Sequence, residues 1–165
     1  MAQNTKGRLL LIDLSFNDTI AASGGQKKVY LKPRKKNIIY QIKQVFVQID
    51  DPIGSSSGWH RIGITYAPMQ DNWNKCLMWC QASTGNDLES YANTWNGSNT
   101  EYPSSADQVN AINHMECSFD MPFIFWYHNN TDANQTGRSE IKVIVKEIVM
   151  EESEVNAIQN NIEET

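Results

Sequence analysis

Apolar and polar residues alternate along most of this chain with a period of two, the pattern of strands that bury one face. The strongest run occupies positions 37–50, where Tyr40 and Ile42 alternate with Gln41 and Lys43, and Val45, Val47 and Ile49 alternate with Phe46 and Gln48. The apolar phase slips by one residue near Gln44. A single slip in a regular strand predicts a β-bulge. The competing expectation is a strand buried on both faces beyond Gln44, with Phe46 also turned inward. Either way the segment reads as a central strand.

Flanking segments follow the same rule. At positions 7–16, Leu10, Ile12, Leu14 and Phe16 share one face, and Leu9 and Leu11 lie on the other. A turn-rich stretch at 17–26 leads to a short strand at 27–31. Beyond the Gly/Ser loop at 54–58, His60, Ile62, Ile64 and Tyr66 alternate with Arg61, Gly63 and Thr65, predicting a half-buried strand. Positions 75–82 put Cys76, Met78 and Cys80 on one side. Strands resume at 116–121, at 122–128 with both faces apolar, and at 139–150, where Ile141, Val143 and Val145 alternate with Lys142, Ile144 and Lys146.

Between 83 and 115 the alternation stops. Leu88, Tyr91, Ala92 and Trp95 stand at helical spacing behind Asn86, with Glu89 three residues on, so a short capped helix is predicted. Ser105, Gln108, Val109 and Ile112 predict a further helical turn or two. After 150, Val155, Ile158 and Ile162 give an acidic segment one apolar face, that of a small amphipathic helix. About seven or eight strands with turn-rich connections and no βαβ rhythm define an all-β fold, a two-sheet antiparallel sandwich. A jelly-roll-like form is expected, with a long, partly helical loop excursion at about 83–115. An immunoglobulin-like sandwich ranks second, because the Cys-Trp-Cys spacing is absent. Positions 1–150 form the sandwich domain and 151–165 the acidic C-terminal tail.

Charge narrows the function classes. Fourteen Lys and Arg against nineteen Asp and Glu give a net charge of -5, which argues against general nucleic-acid affinity. The N-terminal stretch lacks the apolar core of a signal peptide, so the protein is expected to be made in the cytoplasm and not secreted by that route. The three cysteines are then expected to be free thiols, and the four Asn-x-Ser/Thr sequons, at Asn17, Asn96, Asn129 and Asn134, to be chance products of an Asn-rich composition.

Cys76, Cys80, His114 and Cys117 supply two pairs of metal-ligand types. Residues four apart on a strand lie roughly 13 Å apart, too far for Cys76 and Cys80 to share one zinc ion, so no metal and no cofactor are expected. His60, His114 and His128 accompany no nucleophile elbow, phosphate loop or metalloprotease helix, and no enzymatic activity is expected. Asp50 and Asp51 read as a strand-ending turn.

Trp73, Tyr91, Trp95 and Tyr102 fall in Asn-rich, loop-like surroundings, a candidate platform for stacking sugars. The alternative is that their rings pin the excursion onto the sheet. Lys27, Lys28, Lys32, Arg34, Lys35 and Lys36 put six of the fourteen basic residues within ten positions, while six glutamates crowd 147–164. Such runs are often only solvated surface. Here opposite charge at the two ends of the domain suits contact between neighbouring copies, although a basic patch also suits nucleic acid or anionic lipid.

A small all-β chain with a large loop excursion, opposite charge at its ends and a tail fit for docking resembles the single-jelly-roll coat proteins of icosahedral viruses. The resemblance spans the inferred strands, roughly 7–150, and is one of architecture. It implies a structural, self-assembling capsid protein or other virion component, forming homo-oligomers with copies of itself and with other virion proteins. The subunit-contact residues would then be the six basic residues of 27–36 and the face of Val155, Ile158 and Ile162. The sequence departs from the family in its N-terminus, which has only Lys6 and Arg8 where many coat proteins carry a strongly basic arm. The alternative is a lectin-like, carbohydrate-binding sandwich using Trp73, Tyr91, Trp95 and Tyr102.

Overall fold

The computed structural model describes residues 7–67, 76–90, 100–102 and 115–151. Ten strands appear in order: β1 Arg8–Asp13, β2 Gly25–Leu31, β3 Ile38–Ile49, β4 Gly58–Tyr66, β5 Met78–Ser83, β6 Leu88–Ser90, β7 Thr100–Tyr102, β8 Glu116–Ser118, β9 Phe123–Thr131 and β10 Ser139–Val149. They form two antiparallel sheets. In the first the order is β1-β10-β3, with β6 and β8 both paired to the far edge of β3; in the second it is β2-β9-β4-β5-β7. From β1 to β4 successive strands alternate between the sheets, β5 joins β4 in the second, and the late strands β9 and β10 insert between early ones. That is the strand order of a jelly roll, an all-β sandwich as the periodicity predicts.

The slip in phase at positions 37–50 is a bulge. Ile42 pairs with Val145 and Gln44 with Ile144, leaving Lys43 as the extra residue. Ile38, Tyr40 and Ile42 before it, and Val45, Val47 and Ile49 after it, are all buried, whereas Phe46 is only half-buried on the outer face. Without the bulge one half of β3 would present its apolar residues to the wrong side. Its far edge is shared: β8 pairs with residues before the bulge and β6 with residues after it.

Between the sheets, the inner residues of β3 and β10 meet Phe123, Phe125 and Tyr127 of β9, Ile62 and Ile64 of β4, and Met78 and Cys80 of β5. Phe16 tilts against Tyr127 with ring centroids 6.1 Å apart. The second sheet also buries residues on its outer side: Thr65 and Ile124 are at 0% exposure and Trp126 at 3%. The two-sided burial expected for 122–128 is therefore present. The half-buried strand expected at 59–67 is instead buried on both faces from Ile62 to Thr65.

Two short strands, β6 and β7, raise the count above that expected from periodicity. Leu88–Ser90, where helical spacing predicts a capped helix, is strand β6, hydrogen-bonded to β3 at Val47, Gln48 and Ile49. Leu88 is fully buried in the common core, and an open sheet edge beside it outweighs weak local helix propensity. The remaining helical expectations, at 91–99 and 103–114 and at Val155, Ile158 and Ile162, lie outside the described residues.

Four connections gather at one end of the sandwich: 14–24, 50–57, 84–87 and 132–138. Asn129, fully buried, ties two of them. Its side-chain nitrogen lies 3.2 Å from the carbonyl oxygens of Ile20 and Ala21 and 2.9 Å from that of Ala133, and its oxygen accepts from the Thr131 hydroxyl at 2.8 Å. Asp132 accepts from Ser56 and Ser57, and these bonds hold its carboxyl well below the usual range. Gln135 donates to the Asp50 carbonyl at 2.9 Å. At the opposite end lies the connection between β2 and β3, which carries Lys32, Arg34, Lys35 and Lys36.

Candidate functional site

The residues with catalytic or ligating chemistry are mostly spent on packing. Cys76, Cys80 and Cys117 are buried thiols outside any disulfide. Burial raises the Cys76 thiol to about 11 and the Cys117 thiol to about 12, so both stay protonated near neutral pH, the state that neither attacks nor ligates. The Cys117 thiol lies 3.5 Å from the Leu31 carbonyl. His114 lies outside the described residues, and the described residues contain no cluster of metal-ligating side chains.

His60 projects from β4 into the core at 0% exposure. Its Nε2 is 2.9 Å from the Asn86 carbonyl oxygen and its Nδ1 is 3.2 Å from the Tyr127 hydroxyl. A carbonyl only accepts, so the proton sits on Nε2, and Nδ1 accepts from Tyr127. Burial lowers the pKa of His60 and favours this neutral form. The ring is a satisfied strut between β4, β9 and the 84–87 turn. Asp51 belongs to the same end: it accepts from the Ser55 hydroxyl, and its backbone nitrogen donates to Asp87.

The six basic residues of 27–36 do not share one face. Lys27 and Lys28 are adjacent on a strand and point to opposite sides. Lys27 forms an ion pair with Asp18, and Lys28 stands over the Trp126 ring at 5.4 Å. Lys32 lies 4.0 Å from the centre of the Phe119 ring. Arg34 reaches the carboxylate of Glu147 at 3.4 Å, where Arg8 also bonds at 2.9 Å. Glu147 is 4% exposed, so two half-solvated guanidinium groups neutralise one buried carboxylate. Lys35 and Lys36 remain exposed, with no ion-pair partner among the described residues. They form the basic tip of the β2–β3 connection.

Of the proposed sugar platform, Trp73, Tyr91 and Trp95 lie outside the described residues. Tyr102 ends β7 in register with Trp79. A different aromatic group stands on the outer side of the second sheet. Trp59 meets His128 edge-on with centroids 5.2 Å apart, and His128 lies parallel to Trp126 at 6.5 Å. The Arg61 guanidinium covers Trp59 at 4.4 Å, and the indole nitrogen of Trp126 donates to Gln26 at 2.9 Å. The signal was present in the sequence as Trp59 and Arg61 on one strand and Trp126 and His128 on another, two apart in each. Only the pairing of β4 with β9 brings them together.

The outer side of the first sheet is different in character. A cleft of about 320 Å³ is lined by Phe46, Val47, Gln48, Arg138, Glu140 and Lys142. Toward the free edge, Leu9 and Leu11 of β1 are 67% and 65% exposed. Ile144 of β10 stands directly beside Leu11, so apolar side chains are contiguous there.

No protein-family model matches the chain, and comparison with curated proteins finds no match.

Proposed function

We propose that this chain is a structural protein that assembles with copies of itself, as a capsid protein or other virion component, and works through subunit contacts without turnover. The observation that carries the reading is the jelly-roll strand order, β1-β10-β3 with β6 and β8 facing β2-β9-β4-β5. Viral coat domains are a principal use of that fold, alongside lectins and cupins. Surface chemistry supports the choice among these. The titratable groups of the core are neutral or paired, while the outer surface offers contact features: the exposed leucines of β1 and the basic tip at Lys35 and Lys36. Exposed apolar side chains on an edge strand are otherwise an aggregation hazard that monomeric proteins avoid.

The test is the mass of the purified protein by size exclusion with light scattering across protein and salt concentration. A closed oligomer or larger assembly is expected. A strict monomer at every concentration would overturn the reading.

Carbohydrate binding is the second reading, favoured by the Trp59, His128 and Trp126 cluster with Gln26, Lys28 and Arg61 at its margin. Trp59→Ala and Trp95→Ala would then abolish binding in a glycan screen while leaving the oligomeric state unchanged. It ranks below assembly because Trp126 is buried and Arg61 covers Trp59, leaving little open ring for a sugar.

A further inference from the structure

Among the described residues each sheet has an unpaired edge on the same side of the order, β1 in the first and β2 in the second. The two edges are dressed differently. β2 carries Lys27 and Lys28, the charged guard that keeps edge strands from pairing with other chains. The centre of β1 is Leu9, Leu10 and Leu11, with no charge among them.

The backbone of β1 is also poised to pair. Leu14 and Phe16, on the same phase as Leu10 and Ile12, donate to Ile141 and Ser139 of β10 at 2.8 and 3.0 Å. The even positions therefore spend their N–H and C=O groups on β10, and the odd positions Leu9, Leu11 and Asp13 turn theirs to the free edge. Among the described residues β10 is the only strand paired with β1. The same odd positions carry the exposed leucines on the outer face.

We infer that β1 pairs antiparallel with β1 of a second copy across a two-fold axis, Leu9 opposite Leu11 of the second copy and Leu10 opposite its counterpart. This rests on the assembly reading above and names one of its contacts. The register is selected by three conditions. Outer residues must face outer residues, which removes every pairing that sets an odd position against an even one. Leu9 and Leu11 must each meet an apolar partner. A slip of two residues one way opposes Leu9 to Asp13, and a slip the other way opposes Leu11 to Gly7. Only the stated register joins all four leucines, continuous with Ile144 on each side. A self-complementary patch of this kind makes a closed, isologous dimer.

The test uses the full chain with Leu9→Cys and Leu11→Cys as separate variants. Both positions are exposed, so neither change threatens folding, and the three native cysteines are buried. Opposed residues of an antiparallel pair lie within disulfide range, whereas residues offset by two do not. Mild oxidation of an equal mixture should give a disulfide-linked dimer at a yield at least about tenfold above that of either variant alone. No cross-link in the mixture, or equal yield from Leu9→Cys alone, overturns the pairing. Light scattering of the wild type separates the two failures. An assembled wild type whose variants do not cross-link removes the β1 contact and leaves the assembly reading, whereas a monomer at every concentration removes both.

Discussion

His60 spends both ring nitrogens inside the core, on Asn86 and Tyr127, and this makes its protonation a stability variable. In the unfolded chain the ring takes up a proton near the ordinary value of 6.5, whereas burial lowers the folded pKa below it. The unfolded state therefore binds more protons in the window between the two values. Stability is fully present above 6.5 and is lost as pH falls through that value toward the folded pKa. His128 shifts the same way through its own burial and adds to the same window. The melting temperature should fall between pH about 7.5 and about 5.5. In His60→Gln the protein should be less stable throughout, with a smaller fall across that interval; an unchanged fall would show that His60 is not the titrating group. Tyr127→Phe strands Nδ1 without a donor and should cost about 1–3 kcal/mol. The thiols give a simpler expectation. With Cys76 and Cys117 held protonated and Cys80 fully buried, a thiol reagent at pH about 8 should label the folded protein hardly at all and the unfolded protein at three sites.

β3 shows what an element takes from sequence and what it takes from its neighbours. The bulge was legible because burial is read at every second residue, and Lys43 and Gln44 break that count at one place. Deleting Lys43 removes the extra residue and leaves Ile42 and Gln44 on their present partners, Val145 and Ile144. Inner residues then stay inner on both halves. Deleting Phe46 instead turns Val47 and Ile49, both buried, to the outer face. Each such residue loses about 1.5–3 kcal/mol of burial. Denaturant unfolding should find the Lys43 deletion folded and only modestly weakened, and the Phe46 deletion unfolded or nearly so. Equal damage from both would mean that the bulge sets sheet twist and not merely register. β6 was illegible for the opposite reason. Leu88, Glu89 and Ser90 make too short a run to show any period, and their state is decided by the open edge of β3 beyond the bulge. The outer aromatic group was half legible: the residues two apart on each strand were visible, but the register of β4 on β9 was not.

At the scale of the whole molecule, the described residues form two sheets with β1 and β2 at one pair of edges and with connections clustered at the two ends, and charge is distributed over that frame. The end holding 50–57, 84–87 and 132–138 is closed by internal hydrogen bonds. The opposite end presents Lys35 and Lys36 with no ion-pair partner among the described residues, although the chain as a whole carries -5. Clustering of basic residues in sequence thus overstated the patch: four of the six are engaged within their own chain, and only the two at the tip are left to meet a neighbour. Copies of net charge -5 repel one another at long range, so a local meeting of the basic tip with the glutamates after position 150 would steer and orient their approach. Lys35→Glu with Lys36→Glu removes that attraction and takes the net charge from -5 to -9, two units per residue. Association should weaken sharply at about 0.1 M salt, where charges act over about 10 Å, and wild type and variant should converge at about 1 M, where the range is about 3 Å. The neutral pair Lys35→Gln and Lys36→Gln should fall between them. If the reversed variant assembles as wild type does at low salt, the charged contact is absent and the apolar edge of β1 must carry assembly alone.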